Sequence, residues 1–321
     1  MAAFAGNSLL CRIALRRVAL PASVDSAPQA IDPISFTTVR LLSGAVTLAT
    51  VLRVRQRVEV RSRGHRTNTR NSGDWLSALA LTLYAVGFSL AYVRLPTAIG
   101  ALLLFVAVQT TMIGFALWVG ERLHRRQQLG LFVASCGLLG LLLPALVFAS
   151  DFATVAGDPN LMASDPALHS EEATVAVHGR FEIDFVGAGL MALAGAAWGV
   201  YSLRGRTGGD PLQVTAGNFL RSLPMTLVAS LVMIGQWSID GLGIMCAIVS
   251  GAVTSGVGYA LWYTALPQLK SATAATVQLS VPVIAALGGI VFLGEPLTIH
   301  FLLASAAILG GIGLFIRSGR G

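Results

Sequence analysis

Charged residues are scarce in this chain of 321 residues, where they make up 12% of the sequence. Soluble domains carry about 25% charged residues, and hydrophobic residues make up 55% of this chain. The length alone would allow two soluble domains. So few charged side chains could not cover the surface of such domains, and the composition therefore excludes them.

Cysteine and histidine are also few, with three and five residues. The cysteines lie in separate apolar segments and lack the paired spacing of a metal-ligand motif. They are Cys11, Cys136 and Cys246, and the histidines, in loops or at helix ends, are His65, His124, His169, His178 and His300. The sequence therefore predicts no metal site, no haem and no other cofactor.

The net charge of +7 could indicate a nucleic-acid partner. Its placement argues against one, because seven arginines crowd the segment 53–74 between two apolar stretches. Basic residues next to a membrane span are typical of its cytoplasmic side. We therefore interpret them as determinants of membrane topology and expect no nucleic acid to bind.

Long apolar runs fill much of the chain. A bilayer core of about 30 Å requires roughly 20 apolar residues per helix, and these runs are too long and continuous for barrel strands of about ten alternating residues. The sequence predicts an all-α integral membrane protein with ten transmembrane helices. The expected spans are 2–20, 34–53, 75–93, 97–119, 128–148, 185–203, 213–234, 241–265, 272–293 and 299–316. We expect the first to be retained and not cleaved as a signal peptide, because its first basic residue, Arg12, lies inside the apolar stretch.

The basic residues also predict the orientation. With the N-terminus placed inside, fifteen Lys and Arg fall on inner segments and four on outer ones. Since cytoplasmic loops carry the excess of basic residues, both termini and the segment 53–74 are expected in the cytoplasm. The segment 149–184 contains seven acidic residues and one arginine. It is expected outside, as an acidic linker between two units, 1–148 and 185–317.

The two predicted units share sequence anchors at offsets of about 171–178 residues. The anchor pairs are Asp32-Pro33 with Asp210-Pro211, Leu95-Pro96 with Leu266-Pro267, and Gly120-Glu121 with Gly294-Glu295. Each unit would contain five helices. Because five is odd, the second unit would insert upside down relative to the first. Inverted repeats are typical of secondary transporters, whose substrate site lies near the midplane between the repeats.

Several of these motifs resemble the EamA-type transporters of the drug/metabolite transporter superfamily. The motifs are Asp32-Pro33 followed by Arg40, Gly294-Glu295-Pro296-Leu297, Gly6-Asn7-Ser8 followed by Arg12, and Ala197-Trp198-Gly199-Val200-Tyr201. The resemblance implies ten helices, cytoplasmic termini and a bacterial inner-membrane location. It also implies export or exchange of a small metabolite, such as an amino acid, by alternating access.

Neutral polar and aromatic residues inside the predicted spans are the candidates for solute contact. A carrier needs donors, acceptors and aromatic walls at membrane depth, and the resemblance places its cavity among the first, third, fourth, sixth, eighth and ninth helices. The leading candidates are Gln109, Thr276, Ser280, Tyr84, Tyr259 and Trp198. The alternative is that these side chains hold helices together, as Ser and Thr do in many membrane proteins.

Four charged residues near or within spans form a second group of candidates: Arg40, Arg221, Glu121 and Glu295. A charge at membrane depth requires a partner or a function. Arg40 could gate the pathway, anchor an anionic solute group, snorkel, or pair with Asp32. Glu121 or Glu295 could carry a proton, or could cap a helix or form a salt bridge at the membrane interface.

Two other functions compete with solute transport. A lipid-carrier flippase could use the same repeat, but would need a cavity open sideways to lipid and basic groups for phosphates. A membrane enzyme would need His, Asp or Glu clustered at one leaflet, and the sequence has no such cluster. We therefore favour a small-solute transporter, with the flippase as the alternative.

The predicted topology can be tested by cysteine labelling. In a variant in which Cys11, Cys136 and Cys246 are replaced by alanine, Val58→Cys should react with a membrane-impermeant maleimide only after lysis, because the basic segment is cytoplasmic. Ala167→Cys, in the acidic segment, should react in intact cells. Labelling of Val58→Cys before lysis would contradict the orientation.

Overall fold

The chain is helical throughout the part described by a computed structural model, which covers residues 1–15, 30–63, 73–95, 97–155, 184–206, 209–293 and 297–319. Within these ranges there is no strand, and the predicted all-α class is confirmed. The helices, in chain order, are α1 (Ala2–Leu15), α2 (Pro33–Arg63), α3 (Trp75–Tyr92), α4 (Thr97–Trp118), α5 (Arg125–Val155), α6 (Phe185–Arg204), α7 (Pro211–Val232), α8 (Gly241–Gln268), α9 (Ser271–Gln278 and Ser280–Leu293) and α10 (Ile299–Ser318).

Seven of the described helices contain a stretch long and apolar enough to cross a membrane: α2, α3, α4, α6, α8, α9 and α10. Helix α1 is also apolar but has 14 residues. Large apolar side chains face outward, and Trp118 and Phe185 are 82% and 84% exposed. Such a surface suits lipid and not water. The count of ten spans stays a prediction.

Helix α2 continues past its predicted span of 34–53 and ends at Arg63. Its 31 residues extend about 46 Å at about 1.5 Å per residue, which exceeds the roughly 30 Å of a bilayer core. The interpretation of 53–63 as loop is therefore wrong. Arg and Gln are good helix formers, so the helix persists after the apolar run ends.

Helix α5 likewise continues past the predicted boundary at 148. It ends at Val155, so the first residues of the predicted linker 149–184 are helical. Residues 156–183 lie outside the described part of the chain.

Helices α8 and α9 both depart from regular α geometry near their middles. In α8 the segment Ser250–Val257 is π-helical, a wider winding that often marks functional sites. Helix α9 is interrupted at Leu279, between its two segments. Pro282 explains the interruption, because proline has no N–H for the carbonyl of Gln278 and its ring clashes with that carbonyl.

Two helix pairs that join the halves of the chain run antiparallel. In the pair α2 and α7, Thr38 bonds to Ser230 at 2.8 Å, whereas Arg55 pairs with Asp210 at 2.9 Å. In the pair α5 and α10, a Cβ at Gly130 would meet the Gly311 carbonyl, and one at Gly137 would meet Ile308. Small residues let these backbones approach closely.

The close contact of α5 with α10 predicts a position-specific loss of stability. A Cβ at Gly311 would lie 2.5 Å from the Gly130 carbonyl oxygen and 2.6 Å from the Ala134 nitrogen. Gly311→Ala should therefore lower the melting temperature in detergent, by an amount equivalent to about 1–3 kcal/mol of overpacking.

Gly310→Ala is the matched control, because a Cβ at Gly310 meets nothing within 4 Å. Its melting temperature should equal or exceed that of the wild type, since alanine favours helix over glycine. Equal melting temperatures for the two variants would contradict the described packing.

Candidate functional site

Aromatic rings from four helices meet in the centre of the fold. Trp198 on α6 lies 4.9 Å from Tyr84 on α3, 5.1 Å from Tyr259 on α8 and 5.2 Å from Phe4 on α1, measured between ring centroids. Trp198, Tyr84 and Tyr259 are buried. We call these four residues the central cluster. Three of the six predicted solute contacts therefore lie side by side.

Arg40 on α2 borders the central cluster and is fully buried. Its Nε donates to Ser255 Oγ at 3.0 Å and its Nη2 to Tyr259 Oη at 3.3 Å. The guanidinium carbon lies 5.6 Å from the centre of the Tyr84 ring, which is within the range of a cation–π contact. The remaining nitrogen, Nη1, is buried without a hydrogen-bond partner.

The sequence left open whether Arg40 pairs with Asp32. The Asp32 carboxylate instead accepts hydrogen bonds from the backbone N–H groups of Ile34, Ser35 and Ser238. It thereby caps α2 and ties it to the segment before α8. Arg40 also does not snorkel, because it has no exposed surface.

The π-helical part of α8 lies directly against Arg40. A Cβ at Gly251 would come 2.0 Å from the Arg40 carbonyl oxygen, so only glycine permits this approach. One turn further on, Ser255 reaches the guanidinium, and Tyr259 follows in the next segment of α8. The π-helical segment of α8 therefore supplies one of the two hydrogen-bond acceptors of Arg40, and the α-helical segment after it supplies the other.

Gln278 contributes the polar side of the central cluster from α9. Its Oε1 accepts a 2.6 Å hydrogen bond from Trp198 Nε1, and its Nε2 lies 3.2 Å from Met112 Sδ on α4. Gln278 is not among the six leading solute contacts predicted from the sequence. A signal was present, since Gln278 is a polar residue in an apolar run and lies four residues before Pro282.

The other three predicted solute contacts bond mainly to helix backbone. Gln109 on α4 donates to the Ala275 carbonyl at 2.8 Å, and its Oε1 is buried without a partner. The hydroxyls of Thr276 and Ser280 each donate to a carbonyl of α9 at 2.8 Å. Gln109 thus joins α4 to α9, while no described contact brings Thr276 or Ser280 to the central cluster.

Two of the remaining charged candidates, Glu121 and Arg221, lie away from the central cluster. Glu121 accepts from the N–H groups of Ser271 and Ala272 at 3.0 and 3.3 Å and so caps the start of α9. Arg221 donates to the Gly217 carbonyl at 3.1 Å and lies 6.0 Å from the Trp75 ring. Glu295 lies outside the described residues.

A cavity of about 240 Å³ opens where α6 and α8 end and α7 begins. Tyr201 and Tyr263 line it, with ring centroids 5.1 Å apart. These rings lie 6.4 and 6.2 Å from Tyr259. The two tyrosines therefore border both the cavity and Tyr259 of the central cluster.

Ion pairs join helices of the two halves beside this cavity. Arg204 at the end of α6 pairs with Asp74 before α3 at 3.0 Å, and Arg55 pairs with Asp210. Although burial raises the pKa of the Asp74 carboxyl, hydrogen bonds from Ser77 and Arg204 hold it below its usual value. Both pairs are partly exposed, so each stabilises the structure by about 0–1 kcal/mol.

This chain is similar to a transporter family, to a bacterial protein over its full length, and to a solved structure. Residues 185–317 match the EamA-like transporter family. An uncharacterised protein of Pseudomonas aeruginosa is 45% identical over 322 residues, which cover 100% of this chain and 93% of that protein. One crystal structure of a protein aligns with this chain at a TM-score of 0.66 and 16% identity, over 99% of this chain and 97% of the chain in the crystal. The two chains therefore share a fold.

The threonine/homoserine exporters RhtA of Salmonella typhimurium and Escherichia coli are more distant relatives. Each is 35% identical over 133 residues, which make up 40% of this chain and 44% of the exporter. The similarity therefore spans less than half of those exporters.

Proposed function

We propose that this chain, whose residues 185–317 belong to the EamA-like transporter family, carries an amino acid or a solute of similar size and polarity across the bacterial inner membrane by alternating access. The family is one of transporters, which supports a multi-pass membrane transporter over an enzyme. The observation that carries the proposal is the central cluster with Gln278, where neutral donors and acceptors stand among aromatic rings. Such surroundings suit weak, reversible binding of a small polar solute.

The helix contacts support two related halves. In two related halves, α1 would correspond to α6, α3 to α8, and α4 to α9. The contact of α3 with α6 is then matched by the contact of α8 with α1. The contact of α4 with α6 is likewise matched by the contact of α9 with α1. The contact of α2 with α8 is matched by α7 with α3. The antiparallel pairs α2 with α7 and α5 with α10 fit the opposite orientation expected of inverted units. We propose these units as 1–148 and 185–317.

The cavity and the ion pairs support alternating access. The cavity opens on the side that carries the basic extension of α2, which we propose to be cytoplasmic. On the opposite side the Asp32 carboxylate and the Asp240 carboxylate close the fold, because they accept hydrogen bonds from Ser238 and Ile31. This arrangement fits a state closed to the outside, in which a solute approaches through the layer formed by Tyr201 and Tyr263.

We further propose that Tyr84, Trp198 and Tyr259 contact the solute, with Gln278 orienting Trp198. Gln109, Thr276 and Ser280 on α4 and α9 remain candidates that become accessible when the halves move. The bonds of Thr276 and Ser280 to their own helix use the hydroxyl proton and leave oxygen lone pairs for a solute donor.

The role of Trp198 can be tested in reconstituted vesicles. Trp198→Phe keeps a ring but removes the N–H that Gln278 accepts, leaving a buried acceptor unpaired at a cost of about 1–3 kcal/mol. We expect exchange of a labelled amino acid, normalised to folded protein, to fall about tenfold. L-Threonine and L-homoserine, the solutes in the name of the RhtA relatives, are the first to assay, followed by the other amino acids.

Trp118→Phe is the matched control, because Trp118 is 82% exposed on the outer surface, and it should exchange at the wild-type rate. Normal exchange by a correctly folded Trp198→Phe variant would refute the assignment of this site. Translocation of a fluorescent lipid by wild-type protein, without amino-acid exchange, would favour the flippase alternative.

A further inference from the structure

Arg40 is a buried positive charge without a negative partner. Its side chain has no exposed surface, and among the described residues no carboxylate forms a salt bridge with it. A buried charge is much more costly than a buried neutral group unless it is paired. The acceptors present, Ser255 and Tyr259, are neutral hydroxyls and compensate only part of that cost.

The hydrogen bonds of Arg40 fix its plane and leave one nitrogen free. Ser255 and Tyr259 occupy Nε and Nη2, whereas Nη1 is buried without a partner. The Tyr259 oxygen accepts from Arg40, so its own proton can be donated elsewhere. Nη1 is therefore an unused donor on a guanidinium that also contacts the Tyr259 hydroxyl, and a carboxylate is the strong acceptor that such a charged donor prefers.

The electrostatic surroundings of Arg40 fit a ligand with a single negative charge. The titratable groups that interact with it are Tyr84, Tyr259 and Cys11, and tyrosine and cysteine side chains are predominantly neutral at pH 7. The Arg40 guanidinium thus faces the neutral side chains of Cys11 on α1, Tyr84 on α3 and Tyr259 on α8. A carboxylate would neutralise this site, while a phosphate dianion would leave a second, unpaired charge buried.

The cavity lies one layer of side chains away from Tyr259. Tyr201 and Tyr263 line the cavity, and both rings neighbour Tyr259, which is hydrogen-bonded to Arg40. A solute that passes this tyrosine layer meets Tyr259 and Arg40 together.

We propose that the transported solute carries a carboxylate and that Arg40, through Nη1 and assisted by the Tyr259 hydroxyl, is the residue that binds it. The inference rests on the proposed transport function and narrows it to carboxylate-bearing solutes. The aromatic walls of the central cluster then contact the remainder of the solute.

The test uses full-length wild-type protein in vesicles and a panel of L-amino acids, each paired with the amino alcohol in which CH2OH replaces the carboxylate. The tracer is whichever labelled amino acid the wild type exchanges. In competition against it, each amino acid should inhibit at least tenfold better than its alcohol, and inorganic phosphate should not compete.

Arg40→Gln should bring the ratio between acid and alcohol close to one. Arg40→Lys, which keeps the charge but loses the planar pair of donors, should retain part of the discrimination. Arg221→Gln is the control for loss of another arginine within the helices and should retain the wild-type ratio. The melting temperature of Arg40→Gln should not fall, because the substitution removes an unpaired buried charge.

Each failure has a separate meaning. If the wild type exchanges an amino acid but is inhibited equally by its alcohol, or if Arg40→Gln keeps the full ratio, the carboxylate site is wrong while transport stands. A marked fall in the melting temperature of Arg40→Gln with an unchanged ratio would make Arg40 a structural residue. If no amino acid of the panel is exchanged, the proposed function fails, and this inference with it.

Discussion

The burial of one arginine charge without an anion organises the centre of this transporter. Arg40 requires acceptors at membrane depth, and α8 supplies Ser255 from its π-helical segment Ser250–Val257 and Tyr259 from the α-helical segment that follows. Close approach of α8 to α2 in turn requires Gly251 against the Arg40 backbone. The buried charge of Arg40, the π-helical segment of α8 and the surrounding aromatic rings therefore depend on one another.

A carrier must also open its site to each side of the membrane without losing its fold. The contacts beside the cavity are partly exposed ion pairs such as Arg204 with Asp74, which contribute little stability each and can break at small cost. The contact of α5 with α10 is different, because backbones there meet through Gly130 and Gly311. Such tight packing would hold one interface fixed while the weaker pairs separate.

Hydrophobic patterning was sufficient for the helical class and for the approximate positions of most helices, because a long apolar run in lipid must satisfy its backbone internally. Helix ends outside lipid were less predictable. The extension of α2 to Arg63 depends on helix propensity in water and not on hydropathy. Pro282 explains the interruption of α9, but the hydrogen bond from Trp198 to Gln278 is visible only in the three-dimensional structure.

The sequence identifies the individual aromatic residues of the site, but it does not show that they lie next to one another. Tyr84, Trp198 and Tyr259 stood out as ring-bearing residues inside apolar runs, and the fold brings them together. Phe4 did not stand out, because one more phenylalanine in an apolar helix carries no polar signal. The sequence also does not show whether Arg40 pairs with Asp32. In the fold, backbone N–H groups occupy the Asp32 carboxylate, so Arg40 does not pair with it.

The most direct test of the account is an experimental structure of the wild-type protein bound to an amino acid that it exchanges. Solute density is expected among Tyr84, Trp198 and Tyr259, with the carboxylate within hydrogen-bond distance of Arg40 Nη1. Density at a different place in the fold, or an Arg40 side chain paired with a carboxylate of the protein itself, would contradict it.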